Sequence, residues 1–279
     1  MSGSDNNPVV RFGILTDIHY STENEPAADL RTCLQGFRNS NTDFMLQLGD
    51  LIRGNSSASA GKELQDALAV LRNFQGTIRH VIGNHCLALP RPELMNSLGL
   101  RTPYYAFSEK VFRFVVLDGM DISVHRQPET PEDSLTLARF RSQMKINPEL
   151  HDYCGAVGIL QRAWLKKELE KAEKTGEKVI IVCHFPLHPA TTDIKHGLLW
   201  NHREIVELLA ASPAVKVCLG GHYHNGGYAR QSGIHFVVLP AFVNRQEHPA
   251  VSCATATLEC RRLLIRSGND DVLYDLSLN

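Results

Sequence analysis

Gly220-Gly221-His222-Tyr223-His224-Asn225-Gly226-Gly227-Tyr228 sets two histidines, one residue apart, between paired glycines and directly after the apolar run Val215–Leu219. That run reads as a buried strand. A loop this short cannot pack two imidazoles as core, because neutral imidazole carries ring nitrogens that need polar partners. A metal ion supplies such partners, and glycine lets the backbone turn sharply against a ligand. The remaining ligands must then come from elsewhere in the chain.

Working outward, the same pattern recurs. Val9–Thr16 is apolar enough for a buried strand and ends at Asp17-Ile18-His19. A helix opens at Pro26, with Leu30, Cys33, Leu34 and Phe37 at helical spacing. Phe44–Leu48 is a second strand, ending at Gly49-Asp50, and the Ser- and Gly-rich stretch Gly54–Gly61 reads as a loop. A helix over Lys62–Phe74 leads to a third strand, Ile78–Ile82, which ends at Gly83-Asn84-His85. Strand–helix alternation of this kind argues for an α/β fold with a largely parallel sheet, whose sites gather beyond the carboxyl ends of the strands.

Tyr104–Ser108 and Val111–Asp118 read as a hairpin. Residues 119–157 show no strong period apart from a helix over Glu132–Met144, and are expected to be an insertion lying over the site. Regularity returns with a helix at Ile159–Lys174, a strand at Lys178–Cys183 ending at His184, and a helix at Leu199–Ala211. Ile234–Leu239, Val251–Leu258 and Leu263–Ser267 read as consecutive strands of an antiparallel second face. No internal repeat or low-complexity segment is present.

Composition narrows the function. The 279 residues include 29 Lys+Arg and 30 Asp+Glu, a net charge of -1, which leaves no nucleic-acid footprint and no polybasic membrane surface. No apolar run approaches the ~18 residues of a membrane span. Residues 1–8 are polar, lack a signal-peptide core and are expected to be a flexible leader of one domain spanning 1–279. The seven cysteines form no CxxC pair, so free buried thiols in a reducing, cytoplasmic compartment are expected.

The polar strand ends are Asp17, His19, Asp50, Asn84, His85, His184, His222 and His224, in five separate loops. Two carboxylates, one amide and five imidazoles make a dinuclear ligand set. Without thiolates they suit Mn²⁺ first, then Fe²⁺ or catalytic Zn²⁺. Two cations about 3.5–4 Å apart form a clamp for displacement at phosphorus and make hydroxide available near neutral pH. One carboxylate can bridge them, and Asp50 is the natural candidate. The cations' positive charge outweighs the two carboxylates, which favours a phosphate anion.

In order, DxH, GD, GNH, a lone strand-end His and GHxH resemble the motifs of the calcineurin-like metallophosphoesterase superfamily. The resemblance spans residues 17 to 224 and implies a four-layer α/β/β/α sandwich of two mixed sheets flanked by helices. It implies that Asp17, His19, Asp50 and His224 hold one metal and that Asp50, Asn84, His184 and His222 hold the other. Asn84 would also reach the substrate. His85 would protonate the leaving oxygen, help worth about 10²–10⁴-fold. In the C-terminal half, Gly158…Gln161…Trp164-Leu165, the run Lys178–Pro189, Trp200-Asn201 and GGHYHNGGY are similar to the Mn²⁺-dependent ADP-ribose/CDP-alcohol diphosphatases. That similarity implies cleavage of the phosphoanhydride of a nucleotide-linked diphosphate by metal-activated hydroxide, in a monomer or weak oligomer.

Two positions depart from the superfamily pattern. Cys86 follows GNH where an acid is common, which puts the orientation of His85 in question, because a thiol is a weak partner. Arg53 stands where an acid or Asn is common after GD, and could contact substrate phosphate. His188 is a further candidate for the pocket wall, and Tyr223 and Tyr228 for stacking a base. The remaining histidines, His80, His125, His151, His196, His202, His235 and His248, read as surface or internally satisfied groups. Two other classes are a phosphodiesterase acting on a cyclic nucleotide and a non-catalytic scaffold. A scaffold would be expected to have lost ligands, and none is lost.

Overall fold

A computed structural model describes residues 9–24, 26–248 and 253–279. The leader expected at 1–8 lies outside them, as do the first two residues of the strand expected at Val251–Leu258.

The strands are β1 (Val10–Leu15), β2 (Phe44–Gln47), β3 (Thr77–His80), β4 (Tyr105–Glu109), β5 (Phe112–Leu117), β6 (Lys178–Cys183), β7 (Val215–Gly220), β8 (Gly227–Gln231), β9 (Ile234–Val238), β10 (Ala254–Glu259), β11 (Arg262–Ser267) and β12 (Val272–Ser277). The helices are α1 (Ala27–Asn39), α2 (Ser57–Leu71), α3 (Arg91–Ser97), α4 (Pro131–Gln143), α5 (Ile159–Thr175) and α6 (His202–Ala210). One six-stranded sheet runs β12-β11-β10-β1-β2-β3 and the other β4-β5-β6-β7-β9-β8. The strands β1, β2 and β3 are parallel, as are β5, β6, β7 and β9. The remaining pairs are antiparallel, so both sheets are mixed.

The near-continuous apolar strands follow from burial on both faces. Along β6, Ile180 and Val182 face the other sheet, while Val179, Ile181 and Cys183 face α5 and α6. Along β1, Val10, Phe12 and Ile14 enter the layer between the sheets, and Leu15 joins the cluster under α1 and α2. That central layer holds an aromatic chain. Phe12 stacks on Phe44 at 5.2 Å, Phe44 meets Phe114 edge-on at 5.3 Å, and Phe114 stacks on Phe107 at 4.9 Å. The four-layer α/β/β/α sandwich follows.

Several expectations need correction. Gly54–Gly61 is not all loop: α2 starts at Ser57, because the Ser56 hydroxyl accepts the Ser59 N–H and caps the helix. The three C-terminal strands do not share one face. The β9 strand is parallel to β7 in one sheet, whereas β10 and β11 extend the other from β1. Sequence reading overlooked α3, β8 and β12. Cys33 and Cys253 are joined by a disulfide, with Cα atoms 5.9 Å apart, so the expectation of seven free thiols fails. Five cysteines remain free. No described helix is long and apolar enough to cross a membrane.

Candidate metal centre

The parallel strands of both sheets end on one edge, and there the five loops converge. Asp17 and His19 follow β1, Asp50 follows β2, Asn84 and His85 follow β3, His184 follows β6, and His222 and His224 follow β7. Asp17, His19, Asp50 and His222 have φ of 49°, 45°, 50° and 67°. Non-glycine residues seldom adopt this left-handed backbone, and it persists where surrounding contacts over-determine it. Here hydrogen bonds between the loops do so. The Asp17 and His19 N–H groups donate to the Gly49 and Asp50 carbonyls at 3.1 and 3.0 Å.

Glycine beside these residues is a matter of space. A Cβ on Gly221 would lie 1.9 Å from Thr16 Oγ1 and 2.5 Å from Asp17 Oδ2. On Gly83 it would lie 2.1 Å from Asp50 Oδ1. The glycines of the GHxH and GNH motifs therefore let backbone press directly against the two carboxylates.

Each carboxylate has one oxygen engaged and one oxygen turned to the imidazoles. Asp17 Oδ2 accepts from Thr16 Oγ1 at 2.6 Å and from the His222 N–H at 2.8 Å. Asp17 Oδ1 is buried with no hydrogen-bond partner, 3.7 Å from both His19 Nε2 and His224 Nε2. Those two nitrogens face each other at 3.3 Å. Asp50 Oδ1 accepts the His85 N–H at 2.9 Å, while Asp50 Oδ2 lies 3.7 Å from His19 Nε2 and 3.4 Å from His184 Nε2. Asn84 Oδ1 is 3.2 Å from His184 Nε2. Ligands about 2.0–2.2 Å from one cation at tetrahedral or octahedral angles lie about 3.0–3.6 Å apart. The orphaned Asp17 oxygen and the facing imidazole nitrogens thus fit divalent cations.

Backbone carbonyls fix which ring nitrogen each histidine offers. His184 Nδ1 donates to the Leu48 carbonyl at 2.8 Å, leaving Nε2 as the nitrogen that could bind a cation. His222 Nε2 donates to the His196 carbonyl at 2.8 Å, leaving Nδ1. Such outer contacts set tautomer and ring orientation at metal sites. Electrostatics agree. Burial opposes ionisation of Asp17 and Asp50, yet the neighbouring histidines outweigh it and hold both carboxyls well below the usual range. Burial disfavours the charged form of His184, but Asp50 and Asp17 push it up to about 9. A field that attracts a proton so strongly also attracts a cation. Burial and the neighbouring His184 lower His222 to about 3, leaving it the neutral imidazole a metal requires.

Beside these residues opens a cavity of about 630 Å³, lined by Asp50, Asn84, His85, His222 and His224 together with His125, Tyr153, Lys195 and His196. His125 and Tyr153 come from the 119–157 segment. Three suggested substrate contacts do not line it. The Arg53 guanidinium turns away to Glu23 at 3.1 Å, and it is the Arg53 carbonyl that serves the site, accepting from His85 Nδ1 at 2.6 Å. His188 Nδ1 accepts the Ala190 N–H and its ring rests on Phe236. The Tyr228 hydroxyl meets His235 Nδ1 at 2.9 Å on the sheet edge. His196 and His125, read as surface or satisfied groups, instead reach the cavity. Cys86 is buried in the cluster beneath the loop, where burial and Asp50 push its thiol up to about 11, and the Arg53 carbonyl does the orienting.

The model of the family described as calcineurin-like phosphoesterase matches residues 10–226. The chain belongs to that family. As a calcineurin-like phosphoesterase it is a metal-dependent phosphohydrolase. It is 31% identical to a manganese-dependent ADP-ribose/CDP-alcohol diphosphatase of Arabidopsis thaliana, over 86% of this chain and 88% of the relative. The protein of the same name from Xenopus laevis is 27% identical over 90% of this chain and 85% of its own length. Among solved structures, a dimetal phosphatase from Danio rerio superimposes with a TM-score of 0.84 at 26% identity, covering 98% of this chain and 99% of that one.

Proposed function

We propose that this calcineurin-like phosphoesterase hydrolyses the phosphoanhydride bond of a nucleotide-linked diphosphate of the ADP-ribose/CDP-alcohol type, releasing two monophosphates. The observation that carries the reading is Asp50 Oδ2, set between His19 Nε2 at 3.7 Å and His184 Nε2 at 3.4 Å at the floor of the 630 Å³ cavity. In this reading Asp17, His19, Asp50 and His224 hold one divalent cation, and Asp50, Asn84, His184 and His222 the second. Mn²⁺ is the cation named for the relatives. When bound, the pair supplies hydroxide near neutral pH and offsets charge on the phosphoryl oxygens.

The protein's own groups position the reaction. Asp50 ties the two ligand sets together, and its Oδ1 fixes the backbone of His85. Because the Arg53 carbonyl holds Nδ1–H, Nε2 is the atom at which His85 gives and takes a proton. A bond forms from the oxygen of water to phosphorus as the P–O bond to the leaving phosphate breaks, His85 gives a proton from Nε2 to the leaving oxygen, and the proton that water gives up restores His85. Proton delivery of this kind contributes about 10²–10⁴-fold. Assays of Mn²⁺-loaded protein with ADP-ribose, CDP-choline and cyclic AMP test the reading. Hydrolysis of the diphosphates in preference to cyclic AMP supports it, and turnover of cyclic AMP alone overturns it.

A further inference from the structure

Two segments distant in sequence are tied together over the cavity. Three successive carbonyls of the Asp193–Gly197 loop accept hydrogen bonds from side chains outside the loop. His151 Nε2 donates to the Ile194 carbonyl at 2.5 Å, and the Tyr153 hydroxyl donates to that of Lys195. The carbonyl of His196 takes the Cys154 thiol at 3.5 Å and His222 Nε2 at 2.8 Å. Within the loop, Asp193 Oδ1 accepts both the His196 N–H at 2.8 Å and His196 Nδ1 at 2.7 Å, and the Gly197 N–H closes onto the Asp193 carbonyl at 3.0 Å. The loop is thereby pinned to a metal-ligand histidine and to the 119–157 segment.

With the backbone so held, Lys195 and His196 line the same cavity as His85. Lys195 is the one lysine or arginine side chain lining it among the described residues. The cations answer the charge of the phosphoryl group under attack. A diphosphate carries a second phosphoryl group, whose charge needs its own donor in a cavity this size. An ammonium serves as a compact point charge for phosphate, while the His196 imidazole, its Nδ1 held by Asp193, walls the subsite beside it.

We propose that Lys195 and His196, held by Asp193 and by the 151–154 strap, form a binding subsite for the second phosphoryl group of the substrate. This selects two-phosphorus substrates over single phosphodiesters. It rests on the diphosphatase reading above, deepening it with residues that motif analysis does not reach.

The test uses the full chain loaded with Mn²⁺ and calorimetric titration with α,β-methylene-ADP, which resists cleavage, and with AMP. Wild type binds the two-phosphate analogue more tightly. Lys195→Ala weakens the analogue about tenfold, equivalent to ~1.4 kcal/mol, while AMP shifts less than about twofold, and Lys195→Arg restores most of the loss. The side chain of Lys195 is exposed, so its truncation leaves the fold intact. Equal weakening of both ligands, no weakening of either, or a wild type that binds the analogue no better than AMP overturns the subsite. Failure of the underlying reading looks different. Wild type would then bind the analogue and lose affinity with Lys195→Ala, yet would not cleave ADP-ribose or CDP-choline.

Discussion

The imidazole of His85 is held from behind by the backbone carbonyl of Arg53, 2.6 Å from Nδ1. A main-chain atom thus orients the group assigned to proton delivery, although the residue after it is Cys86 and not an acid. The departure from the common motif leaves the acid's geometry supported.

This relationship predicts a divided outcome at two adjacent positions. His85→Asn should lower kcat by about 10²–10⁴-fold. Cys86→Ser should leave kcat within about threefold, because the Arg53 carbonyl holds His85 Nδ1. Steady-state assays at saturating Mn²⁺ decide it. A Cys86→Ser loss as large as that of His85→Asn would assign the orienting role to the thiol.

Gly221→Ala should damage the metal site more than the fold. Its Cβ would press on Thr16 Oγ1 and Asp17 Oδ2 at 1.9 and 2.5 Å, displacing the carboxylate whose other oxygen faces His19 and His224. Displacements of about 1 Å at such sites cost on the order of 10²-fold in rate. Mn²⁺ titration should show affinity at least about tenfold weaker, the range for altered support of metal ligands. Unchanged Mn²⁺ binding would mean that Asp17 is not a ligand.

Acid stability should register His80, whose ring is buried with Nδ1 3.2 Å from Gln47 Oε1. Burial lowers its pKa to about 4 from an unfolded value of 6.5. Between those values the unfolded chain binds a proton that the folded chain refuses. Stability is therefore full above about pH 6.5 and falls as the pH drops towards 4, with a slope of ~1.4 kcal/mol per pH unit. The total is roughly 3 kcal/mol. Urea titrations of wild type and His80→Gln across this window should diverge by that slope, and parallel curves would exclude the histidine.

The Cys33–Cys253 disulfide joins α1 to the start of β10 across 220 residues. Closing a loop that long should stabilise the fold by about 2–5 kcal/mol. Denaturation midpoints should fall on reduction and in Cys33→Ser, each to a similar degree. Coincident oxidised and reduced curves would remove the disulfide from the account of stability.

Much of the fold was legible because burial leaves periodic traces. The runs at Val10–Leu15 and Lys178–Cys183 are apolar apart from Arg11 and Lys178 since both faces are covered, and each leads within two residues to a residue of the candidate metal site. What escaped has a physical reason in each case. The strand Gly227–Gln231 lies at a sheet edge, partly exposed along its length, so it carries no apolar alternation. The helix α2 starts among serines because one of them caps it. The role of Arg53 is performed by its carbonyl, which no residue identity reveals. Tyr153, Lys195 and His196 reach the cavity through contacts between irregular loops, and Cys33 finds Cys253 through the closed fold alone.

The central claim is a pair of cations bridged by Asp50, and metal stoichiometry tests it most directly. Elemental analysis of wild type and Asp50→Asn after equilibration with Mn²⁺ and gel filtration should give two Mn²⁺ per chain for wild type and at most one for the variant. The variant's turnover of ADP-ribose should fall by at least about 10³-fold, as expected when a charge-stabilising group is lost from the reacting centre. Two retained Mn²⁺ ions with unchanged turnover in Asp50→Asn would contradict the account.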